Sequence, residues 1–211
     1  AAGAVAVLAL SVPLYLLRTG NRSPGALDNA SGVGALVEMA RAWGRIEGSS
    51  RCRAIFLSPA AEEFGMVGSE VWVRTHAAAL RAEPRVWALN FDGVGLGGPV
   101  RVVPAAGPER EGLSMPLLLR DAGDAAGIAL APVPPSVGLV TDHVSFTREG
   151  IPCATLLTHS WTARRIHSER DAPEGLQEEG FANVGRIAEQ FVRRVSGAGA
   201  ATPPARPAVR P

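Results

Sequence analysis

The sequence predicts an α/β sandwich built on a largely parallel sheet, and three observations predict it. Short apolar runs bounded by polar residues read as buried strands. Stretches of helical period separate those runs, as crossover helices do between parallel strands. Short acidic motifs fall at the ends of the runs, where open α/β sheets collect their ligands.

The elements follow in order. After Gly32 the apolar residues Val33, Leu36, Val37, Met39, Ala40 and Trp43 recur with helical period, and Asn29 or Ser31 is available as the cap. Residues 53–58 (RAIFLS) form an apolar run that predicts a buried strand, and residues 68–80 a helix. Residues 85–91 (RVWALNF) predict a second buried strand and 100–103 a third. A helix is expected over 113–127, then a proline-rich connector around 132–135, then a strand over 151–157. The closing helix, 178–195, carries Phe181, Val184, Ile187, Ala188 and Phe191 as its apolar stripe.

The two ends differ from this body. Residues 1–17 are almost wholly apolar and are followed by Arg18 and Arg22. They are read as a membrane segment, with a signal-type segment and a core element of the domain as the alternatives. Residues 196–211 are rich in Pro, Ala and Gly without apolar periodicity, and are expected to be disordered. The chain thus divides into an apolar segment at 1–20, a domain at 21–195 and a tail at 196–211. The expected localisation is at a membrane, with a secreted or periplasmic protein as the alternative.

Composition narrows the function. The 211 residues carry a formal net charge of +1 with no concentrated basic face, which argues against a nucleic-acid partner. The two cysteines, Cys52 and Cys153, are too few for a disulfide scaffold or a cysteine-based zinc module and read as buried thiols.

Four motifs carry the chemistry: Asp28 in a Leu-Asp-Asn-Ala-Ser-Gly turn, the Glu62-Glu63 pair, Asp92 at the end of Asn-Phe-Asp, and His167 in a polar loop. Taken singly, each has a blander reading: a helix cap, a solvated acidic pair, a turn aspartate and a surface histidine. Taken together, three carboxylates and a histidine suit Zn²⁺, and a spare glutamate beside a ligand glutamate suits a general base. Asp142 and His143, in the cluster Thr-Asp-His-Val-Ser-Phe, are candidates for orienting a ligand or sharing a proton from behind. His76 and His159 belong to no motif and are read as structural.

These stretches resemble the co-catalytic zinc aminopeptidase family, which includes bacterial leucyl aminopeptidases, aminopeptidase Y and the glutaminyl cyclases. The resemblance runs through SPGALDNASGVGALVEMAR, FLSPAAEEFGMVGS, ALNFDGVG, TDHVSFTREGIPCATLLT and RRIHSERDAPEGL, over about residues 23 to 195. It implies a three-layer αβα sandwich with a mixed sheet, a peptide substrate, Glu62 as general base, and Asp28, Glu63, Asp92 and His167 as metal ligands. In that scheme one zinc is held by Asp28, Glu63 and His167. A second is held by Asp28, Asp92 and a histidine from an upstream His-x-Asp motif, and no histidine precedes Asp28 here. Either that motif lies upstream of Ala1, the reading favoured, so that the N-terminal part of the fold is missing, or the ligand is lost. Two zinc ions are expected in the first case and one in the second. The function expected is a zinc-dependent exopeptidase acting on N-terminal residues. The alternatives are a single-zinc aminoacyl cyclase and a non-catalytic, membrane-tethered domain of the same fold.

Overall fold

The alternation of apolar runs and amphipathic helices closes into one mixed sheet with helices on both faces. The structure, a computed structural model, describes residues 22–103, 113–133, 140–158 and 161–197. The expected membrane segment at 1–17, His159 and the tail beyond residue 197 lie outside the described residues. Four strands, β1 (Ala88–Phe91), β2 (Val100–Val103), β3 (Leu130–Pro132) and β4 (Cys153–Thr158), lie in the order β1-β4-β2-β3. β1 pairs parallel with β4 and β2 parallel with β3, while β2 and β4 run antiparallel. Five α-helices accompany them among the described residues: α1 (Ser31–Ala42), α2 (Val67–Ala82), α3 (Met115–Ala126), α4 (His143–Arg148) and α5 (Glu178–Val195).

One face of the sheet holds the main core. Val100, Ala154 and Leu156 from the strands pack against Leu118 and Leu119 of α3 and Val184 and Ile187 of α5. Leu36 and Met39 of α1 close this layer. A smaller cluster on the other face joins Val73 and Leu80 of α2 to Ile151, with Phe146 of α4 against them. Side chains alternate across a strand. Because Val100 and Val102 point to the main core, Arg101 between them points to the opposite face.

Helix predictions match the structure to within two residues at each end, as expected where period decides the outcome. The strand expected over 53–58 differs. It forms no ladder among the described residues, and Ile55 and Phe56 are 53% and 39% exposed. Its apolar content is real, and Phe56 meets Trp43 edge-on with ring centroids 5.7 Å apart. A strand, however, is made by its hydrogen-bonded neighbour. Here a cleft of about 250 Å³ separates Leu57, Ser58 and Pro59 from Leu89 and Asn90 on the free edge of β1. The short β3, not expected from the sequence, occurs where the proline-rich connector begins; Pro132 sits at its last position, on the sheet's outer strand.

Candidate metal centre

The sheet's carboxyl edge, one turn and two loops build one acidic site. Asp28 sits in a turn, Ala26–Ala30, that is pinned from below. The carboxylate of Asp171, 3% exposed, accepts from the amides of Leu27 (2.7 Å) and Asp28 (3.1 Å), and its carbonyl accepts from Ala26 (3.1 Å). From the other side Asn29 donates to the Phe91 carbonyl (2.9 Å) and accepts from Gly32 N–H (2.9 Å). The start of α1 is thereby bound to the end of β1. Gly32 is required there, because a Cβ would lie 2.3 Å from both Asn29 Oδ1 and the Phe91 carbonyl oxygen.

Glu62 and Glu63 occupy the loop entering α2, closed by bonds from Gly65 and Met66 N–H to the Glu62 carbonyl (2.9 and 2.7 Å). Asp92 follows β1 directly, its amide donating to Leu156 (3.0 Å). His167 lies in the loop between β4 and α5 with φ 58°, a left-handed conformation uncommon outside glycine. Its Nε2 is 2.9 Å from Asp28 Oδ2 and 3.0 Å from Glu63 Oε1.

One donor atom from each of Asp28, Glu63 and His167 therefore lies within 4.8 Å of the others, a spacing that a single cation can bridge. A carboxylate–carboxylate–imidazole set suits zinc and leaves one tetrahedral position open. Glu62 and Asp92 line the same pocket, of about 630 Å³, without joining that cluster.

The electrostatics fit a cation. Burial, then the charges of Asp142, Glu63 and Asp28, push the Glu62 carboxyl up to about 7. Burial, then Asp28, Glu62, Asp142 and Glu63, bring Asp92 to about 7 as well. Asp28 is raised by burial and by Glu63, against the lowering effect of His167. Burial raises Asp142, whose Oδ1 is buried without a hydrogen-bond partner among the described residues. Carboxylates crowded to mutual cost are what a divalent ion relieves.

Asp142 and His143 separate. Asp142 lines the cleft beside Glu62 and Asp92. His143 Nδ1 is held by the hydroxyls of Thr141 (2.7 Å) and Thr155 (3.2 Å), to which Asn90 also donates, and burial lowers its pKa. This hydroxyl cluster packs β4 against α4 behind the acidic edge. Asp171 is the residue whose part the sequence did not reveal. In the sequence it continues the His167 motif together with Pro173 and Glu174, with no role of its own; in the structure it ties the His167 loop to the Asp28 turn.

The model of peptidase family M28 matches residues 11–192. The chain belongs to peptidase family M28. The match begins inside the apolar segment, and among the described residues no helix is long and apolar enough to cross a membrane. Solved structures share the fold. The zinc aminopeptidase BSAP of Bacillus subtilis matches with a TM-score of 0.69 at 23% identity, over 84% of this chain and 43% of that one. The LapA aminopeptidase of Legionella pneumophila matches with 0.65 at 23% identity, over 84% and 48%. The aminopeptidase of Aneurinibacillus sp. strain AM-1 matches with 0.61 at 25% identity, over 83% and 41%. The chain thus spans less than half the length of these structures. No curated protein matches its sequence. As in the M28 fold, the sheet is mixed, open and flanked by helices.

Proposed function

We propose that this M28 chain forms the metal-binding core of a zinc-dependent exopeptidase that removes N-terminal residues from peptides. The observation that carries the reading is the convergence of Asp28, Glu63 and His167 within 4.8 Å, with Glu62 on the wall of the same pocket. Three of the solved structures that share the fold are aminopeptidases by name, one of them a zinc enzyme.

Asp28, Glu63 and His167 would hold the ion, and the open side of the cluster (His167 and Glu63 side chains are 60% and 57% exposed) gives a peptide end access. A bound zinc supplies Lewis-acid polarisation of a carbonyl and acidification of water. Glu62 takes the proton of the attacking water and returns it to the departing amine, breaking the amide into an acid and an amine. Asp92 faces the same space as a further carboxylate. Among the described residues there is one complete three-ligand set.

The test separates base from ligands. Glu62→Gln is expected to lower kcat at least about 100-fold, the usual weight of a general base, with zinc content unchanged by elemental analysis. His167→Ala is expected to lose the zinc itself. Full turnover in Glu62→Gln, or undiminished zinc in His167→Ala, would overturn these roles.

A further inference from the structure

Arg101 is the one cation on β2, and it points into the pocket that Asp28, Glu63 and His167 share. It makes no ion pair with any carboxylate among the described residues. Strand register gives its position. Arg101 pairs with Leu157 of β4, and Phe91 pairs with Leu156, so Asp92 falls beside Leu157 on the opposite flank. Asp92, Leu157 and Arg101 therefore form one lateral row across the sheet, on the face away from the main core. The two ends of that row are two strand spacings apart, roughly 10 Å.

The pocket is thus polarised. Its acidic end lies at the metal cluster, Leu157 stands between Asp92 and Arg101 in the lateral row, Val133, Val140 and Ile166 add apolar lining, and Arg101 supplies a guanidinium two strands from Asp92. An arginine keeps its charge in any such setting and is shaped to grip a carboxylate with two parallel hydrogen bonds. A substrate that is all apolar leaves that charge without a partner. A substrate carboxylate placed at the far end satisfies it while the scissile amide sits at the metal.

We infer that Arg101 binds a carboxylate of the substrate, so that the pocket selects short peptides bearing one, foremost those with an N-terminal glutamate or aspartate. This rests on the exopeptidase reading of the same site. The terminal carboxylate of a dipeptide offers the same chemistry, and the assay distinguishes the two sources.

The test uses the zinc-loaded full chain with Arg101→Ala and Arg101→Lys. Substrates are the 4-nitroanilides of Glu and Leu, and Leu-Gly against Leu-Gly amide. Arg101→Ala is expected to lose about 10- to 100-fold in kcat/KM on Glu anilide, chiefly through KM, with Leu anilide within about twofold. Arg101→Lys should recover part of the loss. A loss confined to Leu-Gly, sparing both its amide and Glu anilide, assigns the grip to the terminal carboxylate. Equal effects on charged and neutral substrates, or no effect on either, overturn the inference. Calorimetric titration of L-glutamate and L-leucine separates the two readings. If nothing is hydrolysed but glutamate binds tighter than leucine in an Arg101-dependent way, the exopeptidase reading fails and the carboxylate site stands. If nothing is hydrolysed and Arg101→Ala leaves both affinities unchanged, the carboxylate site fails too.

Discussion

At the residue scale, the site depends on a carboxylate that touches no ligand donor atom. Asp171 accepts from the amides of Leu27 and Asp28, which places the Asp28 side chain against a histidine only four residues before Asp171 itself. One buried side chain thus ties the turn of Asp28 to the loop of His167, two segments far apart in sequence. Asp171→Ala leaves those amides without their charged acceptor, at a cost of about 3 kcal/mol in unfolding free energy. It is also expected to weaken zinc affinity by at least tenfold, the scale of an outer-shell loss. Asp171→Asn, which keeps one acceptor oxygen, should lose less of each. Urea unfolding and a competitive zinc titration measure the two quantities; full zinc affinity in Asp171→Ala would remove the positioning role. That Asp28, Glu63 and His167 are candidate ligands was legible because acid and histidine side chains announce metal chemistry, and the structure brings one donor atom of each within 4.8 Å of the others. Asp171 was legible only as a continuation of the His167 motif; its role was not, because its work is done on backbone amides, which carry no sequence signal.

At the element scale, the joint between α1 and β1 decides whether the acidic edge assembles. The helix enters so close to the strand end that position 32 has no room for a methyl group, with a backbone oxygen at 2.3 Å from where it would lie. Two effects of Gly32→Ala oppose each other. Helix propensity favours alanine by about 1 kcal/mol. Overpacking against a carbonyl that cannot rotate away costs about 2–3 kcal/mol, and overpacking wins. A net loss of stability together with weaker zinc binding is expected by thermal unfolding and metal titration; a more stable variant would show that the joint is loose. The same contrast explains what the sequence disclosed about elements. The stripe of α5 is local and was readable to the residue, Glu178–Val195. Residues 53–58 carry the apolar content of a strand, but the partner that makes a ladder is a matter of topology. The lateral order β1-β4-β2-β3, with its single antiparallel joint, is non-local for the same reason.

At the scale of the whole molecule, charge crowding links the site to stability and gives a sign that pH can test. Glu62 and Asp92 rise from ordinary values of 4.5 and 3.8 to about 7 in the fold, and Asp28 and Asp142 rise with them. Groups raised on folding hold protons that the unfolded chain has already released. Their contribution is fully present below the unfolded values and is lost as pH climbs through about 7, when the carboxylates must ionise in a buried setting and against one another. Zinc is expected to reverse the slope, because the proposed ligands bind it deprotonated and a bound ion stabilises the fold by mass action. With chelator present, the melting temperature is therefore expected to fall between about pH 5 and pH 8. With excess zinc the fall should flatten or become a rise, so that the gap between the two curves widens with pH. Glu62→Gln removes one of the raised carboxyls and should shallow the chelated curve while leaving zinc able to bind. A chelated protein whose melting temperature is flat or rises toward pH 8 would show that the acidic edge does not carry this strain, and that the cluster is not built around a cation.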